Sequence, residues 1–72
     1  MGQALINADM LSWARERAGL SIAMLAEKLQ QPEDKVAAWE AGEARPTFRQ
    51  AQQFAQQVHA PFGYLFLRQP PA

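Results

Sequence analysis

The chain contains no cysteine, no excess of charge of either sign and no long apolar run. Without cysteine, neither disulfide bonds nor thiolate metal ligands can hold the fold together. No apolar run reaches the roughly 18 residues that a membrane span needs, and residues 1–7 lack the basic start of a signal peptide. We therefore expect a cytoplasmic protein with no membrane partner.

The charge balance bears on nucleic-acid binding. Seven basic and seven acidic side chains cancel, whereas nucleic-acid-binding domains are often strongly basic because neutralising phosphates supplies much of their affinity. The balance argues mildly against tight non-specific binding. Any such binding must depend on where the charges lie.

What the chain does contain is enough apolar side chain for one small core. Its 72 residues are 49% hydrophobic, which predicts a single domain over residues 1–72 and excludes a disordered tail. The ordered core is expected at about 8–67. Residues 68–72 are expected to form a tail or the start of a linker, because Pro70-Pro71 makes a stiff exit.

Apolar spacing and helix-terminal residues predict five helical segments and almost no strand. The expected ranges are about 8–18, 22–29, 32–41, 48–59 and 62–67. Asn7 and Ser21 are predicted N-caps, and Thr47 with Gln50 has the spacing of a capping box. Pro32 suits the first position of the third helix.

The second and third predicted helices are joined by a short turn. Ala26 is a small residue placed where two crossing helices would meet, ten positions before Val36. This spacing fits a helix-turn-helix, but an ordinary helical hairpin shares it. The segment after the third helix favours the helix-turn-helix.

That segment completes a longer pattern. The chain reads Leu25-Ala26-x-x-Leu29, then Val36-x-x-Trp39-Glu40-x-Gly42, then Arg45-Pro46-Thr47. It resembles the XRE family of Cro- and λ-repressor-like domains over about residues 9–67. The resemblance implies an all-α, compact five-helix bundle of the λ-repressor-like DNA-binding type, with the helix-turn-helix at helices 2 and 3. Family members bind double-stranded operator DNA, usually as two-fold dimers.

The resemblance also implies roles for individual residues. The third helix would be the recognition helix, in the major groove, and the 42–48 loop would lie on phosphates. The positions matching base-facing residues are Gln31, Glu33, Asp34, Lys35 and Ala38. The positions matched or expected at phosphates are Lys28, Arg45, Thr47, the backbone at Phe48, and Arg49.

Two positions depart from the family pattern. Gln30 stands where glycine is usual, and a left-handed backbone disfavours glutamine, so a slightly different turn is expected. Ile22 stands where a glutamine often clamps a phosphate, and it cannot do so.

The recognition helix begins with two acids, Glu33 and Asp34. We favour a structural interpretation, in which each carboxylate stabilises the N-terminus of the helix by roughly 0.3–1 kcal/mol through its interaction with the helix dipole. A carboxylate accepting from a cytosine amino group is the alternative. Lys35 is the only basic residue on the exposed part of this helix, so we expect modest affinity with a steep salt dependence.

The C-terminal segment Pro61-Phe62-Gly63-Tyr64-Leu65-Phe66-Leu67 is rich in apolar residues. Phe62, Leu65 and Phe66 are expected to face the core, which leaves Tyr64 and Leu67 pointing outward. They either cap the bundle or form a subunit or domain interface.

This ending, together with Trp13-Ala14-Arg15-Glu16-Arg17-Ala18-Gly19-Leu20-Ser21, resembles the XRE subgroup that precedes ImmA/IrrE-type zinc peptidase domains. The His-Glu-x-x-His motif of such peptidases is absent from the sequence, so the peptidase activity is not implied. The resemblance suggests either a fragment or a relative that stands alone.

No constellation for catalysis is evident. His59, expected in the last turn of the fourth helix, has no second metal ligand at suitable spacing. Ser12 and Ser21 have no plausible base partner. We therefore expect no enzymatic activity, no metal, no cofactor and no small-molecule substrate.

The function predicted from these observations is that of a sequence-specific DNA-binding transcriptional regulator module, of repressor or antitoxin type. It would act as a homodimer or with a partner protein or domain. The alternative is a helix-turn-helix scaffold used mainly for contact with a toxin or a C-terminal peptidase-like domain.

Overall fold

Four α-helices make up most of the chain in the computed structural model, which describes residues 6–69. They are α1 (Ala8–Arg17), α2 (Ile22–Leu29), α3 (Glu33–Ala41) and α4 (Phe48–Gln57). A short 3-10 segment, Phe62–Phe66, follows them. The predicted all-α class and compact helical arrangement are thus confirmed. Residues 1–5 and 70–72, which include the Pro70-Pro71 exit, lie outside the described residues.

The helix starts follow the predicted caps. Asn7 Oδ1 accepts from the amide of Asp9 at 3.1 Å, and Ser21 Oγ accepts from the amide of Met24 at 3.1 Å. Thr47 and Gln50 form the reciprocal capping box, at 3.1 and 2.9 Å. Pro32 is the N-cap of α3 rather than its first helical residue. That prediction was off by one position.

All four helices end in the same way, with a left-handed residue. These residues and their φ angles are Gly19 (74°), Gln30 (56°), Gly42 (77°) and His59 (57°). In each case the next amide donates to a carbonyl five residues back, which is the Schellman arrangement. The helix end is therefore closed by backbone hydrogen bonds even where no glycine is present.

Two predictions at these ends were wrong. Gln30 does not produce a different turn, because it adopts the left-handed conformation itself. His59 does not lie in the last turn of α4, since that helix ends at Gln57. Both residues bear the conformational cost because the adjoining backbone hydrogen bonds and core contacts hold the turn.

The core lies between the helices and the 3-10 segment. The α3 helix packs on α1 and α2, while α4 packs on α2 and on the 3-10 segment. Trp39 and Phe54 are its largest fully buried side chains. The remaining buried apolar residues are Met10, Leu11, Ala14, Leu25, Ala26, Leu29, Val36, Ala51, Ala55, Val58 and Leu65.

The expected fifth helix was wrong. Phe62–Phe66 forms a 3-10 turn, in which Tyr64 N donates to Pro61 O at 3.0 Å. The following carbonyls are occupied by Asn7, whose amide donates to Leu65 O and whose side chain donates to the Leu67 and Arg68 carbonyls. Leu67 N likewise donates to Tyr64 O at 3.1 Å, so this hydrogen bond and the one from Tyr64 N each span three residues rather than the four of an α-helix.

Burial in this segment also differs from the expectation. Leu65 is fully buried and Phe62 is partly buried, as predicted. Phe66, which was expected to face the core, is 40% exposed. The tight 3-10 turn has three residues per turn rather than 3.6, so it rotates successive side chains differently from an α-helix.

Candidate nucleic-acid interface

The α2–turn–α3 unit has the connections of a helix-turn-helix. Gln30-Gln31-Pro32 separates the two helices, and Gln31 N donates to Ala26 O at 3.0 Å. Ala26 is buried, as the predicted crossing requires. Val36 and Trp39 hold α3 to the core, so the opposite side of α3 is left accessible.

The five residues predicted to face bases are not equally accessible. Glu33, Asp34 and Lys35 are exposed, whereas Gln31 and Ala38 are partly buried. The carbonyl of Ala38 also accepts from the amides of Glu43 and Ala44, at 3.0 and 3.3 Å. The acidic first turn of α3 is therefore its most accessible polar surface.

The five residues predicted at phosphates are all exposed: Lys28, Arg45, Thr47, Phe48 and Arg49. Between them, Pro46 is buried and anchors the loop. The Thr47 hydroxyl oxygen accepts from Gln50 N, and its own hydrogen remains available for donation. Within residues 6–69, the amides of Phe48 and Arg49 have no hydrogen-bond acceptor. Such first-turn amides form an anion-binding end.

The formal charges are segregated along the chain. Residues 1–43 hold four basic and seven acidic side chains and thus carry −3, whereas residues 44–72 hold three arginines and no acid and thus carry +3. A neutral total therefore conceals a basic C-terminal part, which contains the α3–α4 loop and α4. This division was not among the features predicted from the sequence, although the order of the charges shows it.

A partly buried polar cluster joins α3 to α1. Glu40 accepts from Ser12 Oγ at 2.9 Å and from Arg15 Nε at 2.8 Å. A second Arg15 nitrogen donates to Leu20 O at 2.9 Å, in the loop before α2. The Arg15 and Glu40 side chains are only 14% and 6% exposed. This cluster therefore ties α1, the α1–α2 loop and α3 together.

The cluster of Ser12, Arg15 and Glu40 was not predicted from the sequence. Glu40 was placed within the Trp39-Glu40-x-Gly42 motif and Arg15 near the helix dipole, and the two were not paired. The available signal was an acid immediately after a core tryptophan, which is close enough to the core for its carboxylate to need a partner.

The two predicted interface residues lie in different settings. Leu67 is 38% exposed. Tyr64 is partly buried, with its ring 6.4 Å from that of Trp13. Arg17 lies over the other ring of this pair, 5.3 Å from the centroid of Trp13. Tyr64 is thus largely engaged with α1, and Leu67 is the freer of the two.

Within residues 6–69, no three His, Cys, Asp or Glu side chains lie close enough to hold a metal ion. None of the helices in that range combines the length and the apolar character that crossing a bilayer requires.

Comparison with known proteins places the chain in a family. It belongs to the family of helix-turn-helix domains, whose sequence pattern matches residues 8–61. This confirms the XRE-like helix-turn-helix that the motifs predict. No curated protein matches the chain in sequence.

Solved structures give the same fold. An HTH_3 family transcriptional regulator from Vibrio cholerae is similar with a TM-score of 0.73 and 27% identity, over 82% of this chain and 33% of that chain. The hydroxypropylphosphonic acid epoxidase from S. wedmorenis is similar with a TM-score of 0.76 and 33% identity, over 83% of this chain and 32% of that one. The chain thus spans about a third of the length of these proteins.

Proposed function

We propose that this chain is the DNA-binding module of a transcriptional regulator, with α3 in the major groove and the 42–48 loop on phosphates. The observation that carries the proposal is the helix-turn-helix itself, followed at once by exposed Arg45, Thr47 and Phe48. The similarity to a transcriptional regulator supports it. The similarity to the epoxidase covers a third of that enzyme, and its activity is not transferred.

The charge distribution supports different roles for the α3–α4 loop and for α3 in DNA binding. Arg45 and Arg49 belong to the acid-free part of the chain and are suited to phosphates. Lys35 is the only exposed basic residue of α3, and it directly follows the exposed acidic residues Glu33 and Asp34. Backbone contacts would therefore supply most of the affinity, and direct base contacts would supply little.

The finer parts of the proposal follow the family resemblance. The module would act as a repressor or antitoxin in the cytoplasm, as a homodimer or with a partner protein. The alternative function, a scaffold for a toxin or for a C-terminal peptidase-like domain, is favoured by one observation: the first turn of α3 presents Glu33 and Asp34, which repel phosphates.

The test is selection from random duplexes at low salt, followed by titration of the enriched sequence. We expect Arg45→Ala to weaken binding to all duplexes alike and to reduce the salt slope by about 1, because it contacts phosphate. Lys35→Ala and Glu33→Gln should instead change sequence preference, by about 1–3 kcal/mol where a base contact is lost.

Arg17→Ala, on α1, is the matched control for Arg45→Ala. It removes an exposed arginine outside the proposed interface and should leave the binding curves unchanged. Failure to enrich any sequence would refute the DNA-binding proposal. Equal effects of the Arg45, Lys35 and Glu33 variants on all sequences would show that the base-reading positions are misassigned.

A further inference from the structure

An exposed aromatic surface lies on the side of α4 that faces the 3-10 segment. Phe48 is 51% exposed and Phe66 is 40% exposed, with Phe62 between them. The Phe48 and Phe62 ring centroids are 6.1 Å apart, and those of Phe62 and Phe66 are 5.2 Å apart. We call these three residues the aromatic patch. None of the proposed DNA contacts uses these rings.

The aromatic patch continues into an open groove of about 520 Å³. Phe62 belongs to both, and the groove runs along α4 towards its C-terminal end. The other residues lining it are Gln52, Ala55, Gln56, His59, Ala60 and Pro61. Ten helical residues extend about 15 Å, so the patch and the groove together can hold about three turns of a helix.

The charges around this surface select the occupant. Residues 44–69 contain no acid, and the exposed Arg49 and Arg68 lie next to Phe48 and close to Phe66 in sequence. Neither arginine forms an ion pair within residues 6–69. A symmetric second copy would bring these arginines together, whereas a segment with acidic flanks would neutralise them.

The shape of the surface excludes two other occupants. Single-stranded nucleic acid needs ring faces on which successive bases can stack, but these rings are inclined to one another at 56° and 86° and so present no row of parallel faces. A small molecule needs an enclosed pocket that buries most of its surface, and this groove is open.

We propose that the aromatic patch and its groove bind an acidic amphipathic helix of a partner protein. Apolar side chains of that helix, spaced i, i+3 or i+4, and i+7, would pack on Phe48, Phe62 and Phe66. Its acidic side chains would pair with Arg49 and Arg68. The groove glutamines, Gln52 and Gln56, would form the polar rim.

The experiment uses two fluorescein-labelled 12-residue peptides with identical Leu and Trp anchors. One carries Glu at all other positions, and its control carries Lys. We expect the acidic peptide to bind the wild-type chain about tenfold tighter, because charge complementarity selects between them. Fluorescence anisotropy measures affinity, and two-dimensional NMR should place the shifts at Phe48, Gln52, Gln56 and Phe66.

Variants separate the apolar and ionic contributions. Phe66→Ser should weaken binding of the acidic peptide by about fivefold or more. Met24→Ser, at another exposed apolar residue, on α2, should have no effect. Arg68→Glu should abolish the preference for the acidic peptide, and Arg17→Glu should preserve it. Circular dichroism checks that each variant is folded.

Three outcomes would overturn the inference. The first is equal affinity for the acidic and basic peptides. The second is tighter binding of the oligonucleotide dT12 at the same residues, which would assign the patch to nucleic acid. The third is self-association that Phe66→Ser abolishes without changing peptide affinity, which would assign the patch to a second copy.

Discussion

Glu40 shows how a single residue connects the recognition helix to the rest of the domain. It lies on α3 beside the buried Trp39, and both carboxylate oxygens accept hydrogen bonds from α1. No buried side-chain polar atom within residues 6–69 lacks a partner. The charges of Arg15 and Glu40 therefore compensate each other, and removal of the Glu40 charge alone leaves Arg15 mostly buried without its partner, which is energetically costly.

We expect Glu40→Gln to lower the free energy of unfolding by about 2–4 kcal/mol, because Arg15 would keep its charge in a mostly buried site. Ser12→Ala should cost about 1 kcal/mol, since it removes one hydrogen bond. Urea denaturation measures both. Glu43→Gln, at an exposed acid of the α3–α4 loop, should change little. Equal stability of the Glu40 and Glu43 variants would contradict the assigned role of the cluster.

At the scale of the elements, helix starts were easier to predict than helix ends. Asn7, Ser21 and Thr47 were found from sequence because an N-cap needs one side-chain oxygen within three residues. Gly19 and Gly42 were found for a similar local reason. The left-handed conformations of Gln30 and His59 were not predicted, because neither residue type favours a positive φ. Contacts made by the folded chain impose these conformations.

The energetic cost of the left-handed backbone at Gln30 can be tested by comparing it with its neighbour Gln31. We expect Gln30→Gly to raise the free energy of unfolding by about 0.5–1 kcal/mol, since relief of the left-handed backbone outweighs the added freedom of the unfolded chain. Gln31 is outside the left-handed region, so Gln31→Gly should lower stability by about 0.4–1 kcal/mol. Thermal or urea denaturation decides, and destabilisation by both would contradict the strain at Gln30.

The fifth element shows a different limit of the sequence. Apolar spacing over 62–67 correctly identified Leu65 as a core residue, but it could not predict that Asn7 would occupy the carbonyls of Leu65, Leu67 and Arg68. That contact joins residues 60 positions apart. Only the assembled fold shows it.

At the scale of the whole molecule, the fold was largely predictable and the interface only partly so. The motif from Leu25 to Thr47 was sufficient for the helix-turn-helix, because that arrangement depends on a few buried residues. The base-facing and phosphate-facing roles came from the family resemblance and stay predictions. Within the first set, Glu33, Asp34 and Lys35 are exposed, and Gln31 and Ala38 are partly buried.

Dimerisation belongs to this scale and stays a proposal. A second copy at the Tyr64–Leu67 end would bring two recognition helices into one assembly. We expect Leu67→Ser to weaken self-association by about tenfold, through loss of an exposed apolar contact. Tyr64→Ser should act partly through stability, because Tyr64 packs against Trp13.

Sedimentation velocity over a range of concentrations measures this association. Met24→Ser is the control, because it removes an exposed apolar side chain outside the proposed interface. A wild-type chain that remains monomeric at all concentrations, both with and without duplex, like the Leu67 variant, would exclude the interface. Dimerisation only in the presence of duplex would retain it and would make DNA the template for pairing.

The positions of the two tryptophans have a spectroscopic consequence. Trp39 is 1% exposed in the core, whereas Trp13 is partly exposed beside Arg17 and Tyr64. Their indole emission reports different events: Trp39 responds when the core opens, and Trp13 responds when a molecule covers the α1 surface. A Trp13→Phe chain is therefore an unlabelled fluorescent reporter of global unfolding. Subtracting the emission of this variant from that of the wild-type chain gives the emission of Trp13, which reports binding at the α1 surface.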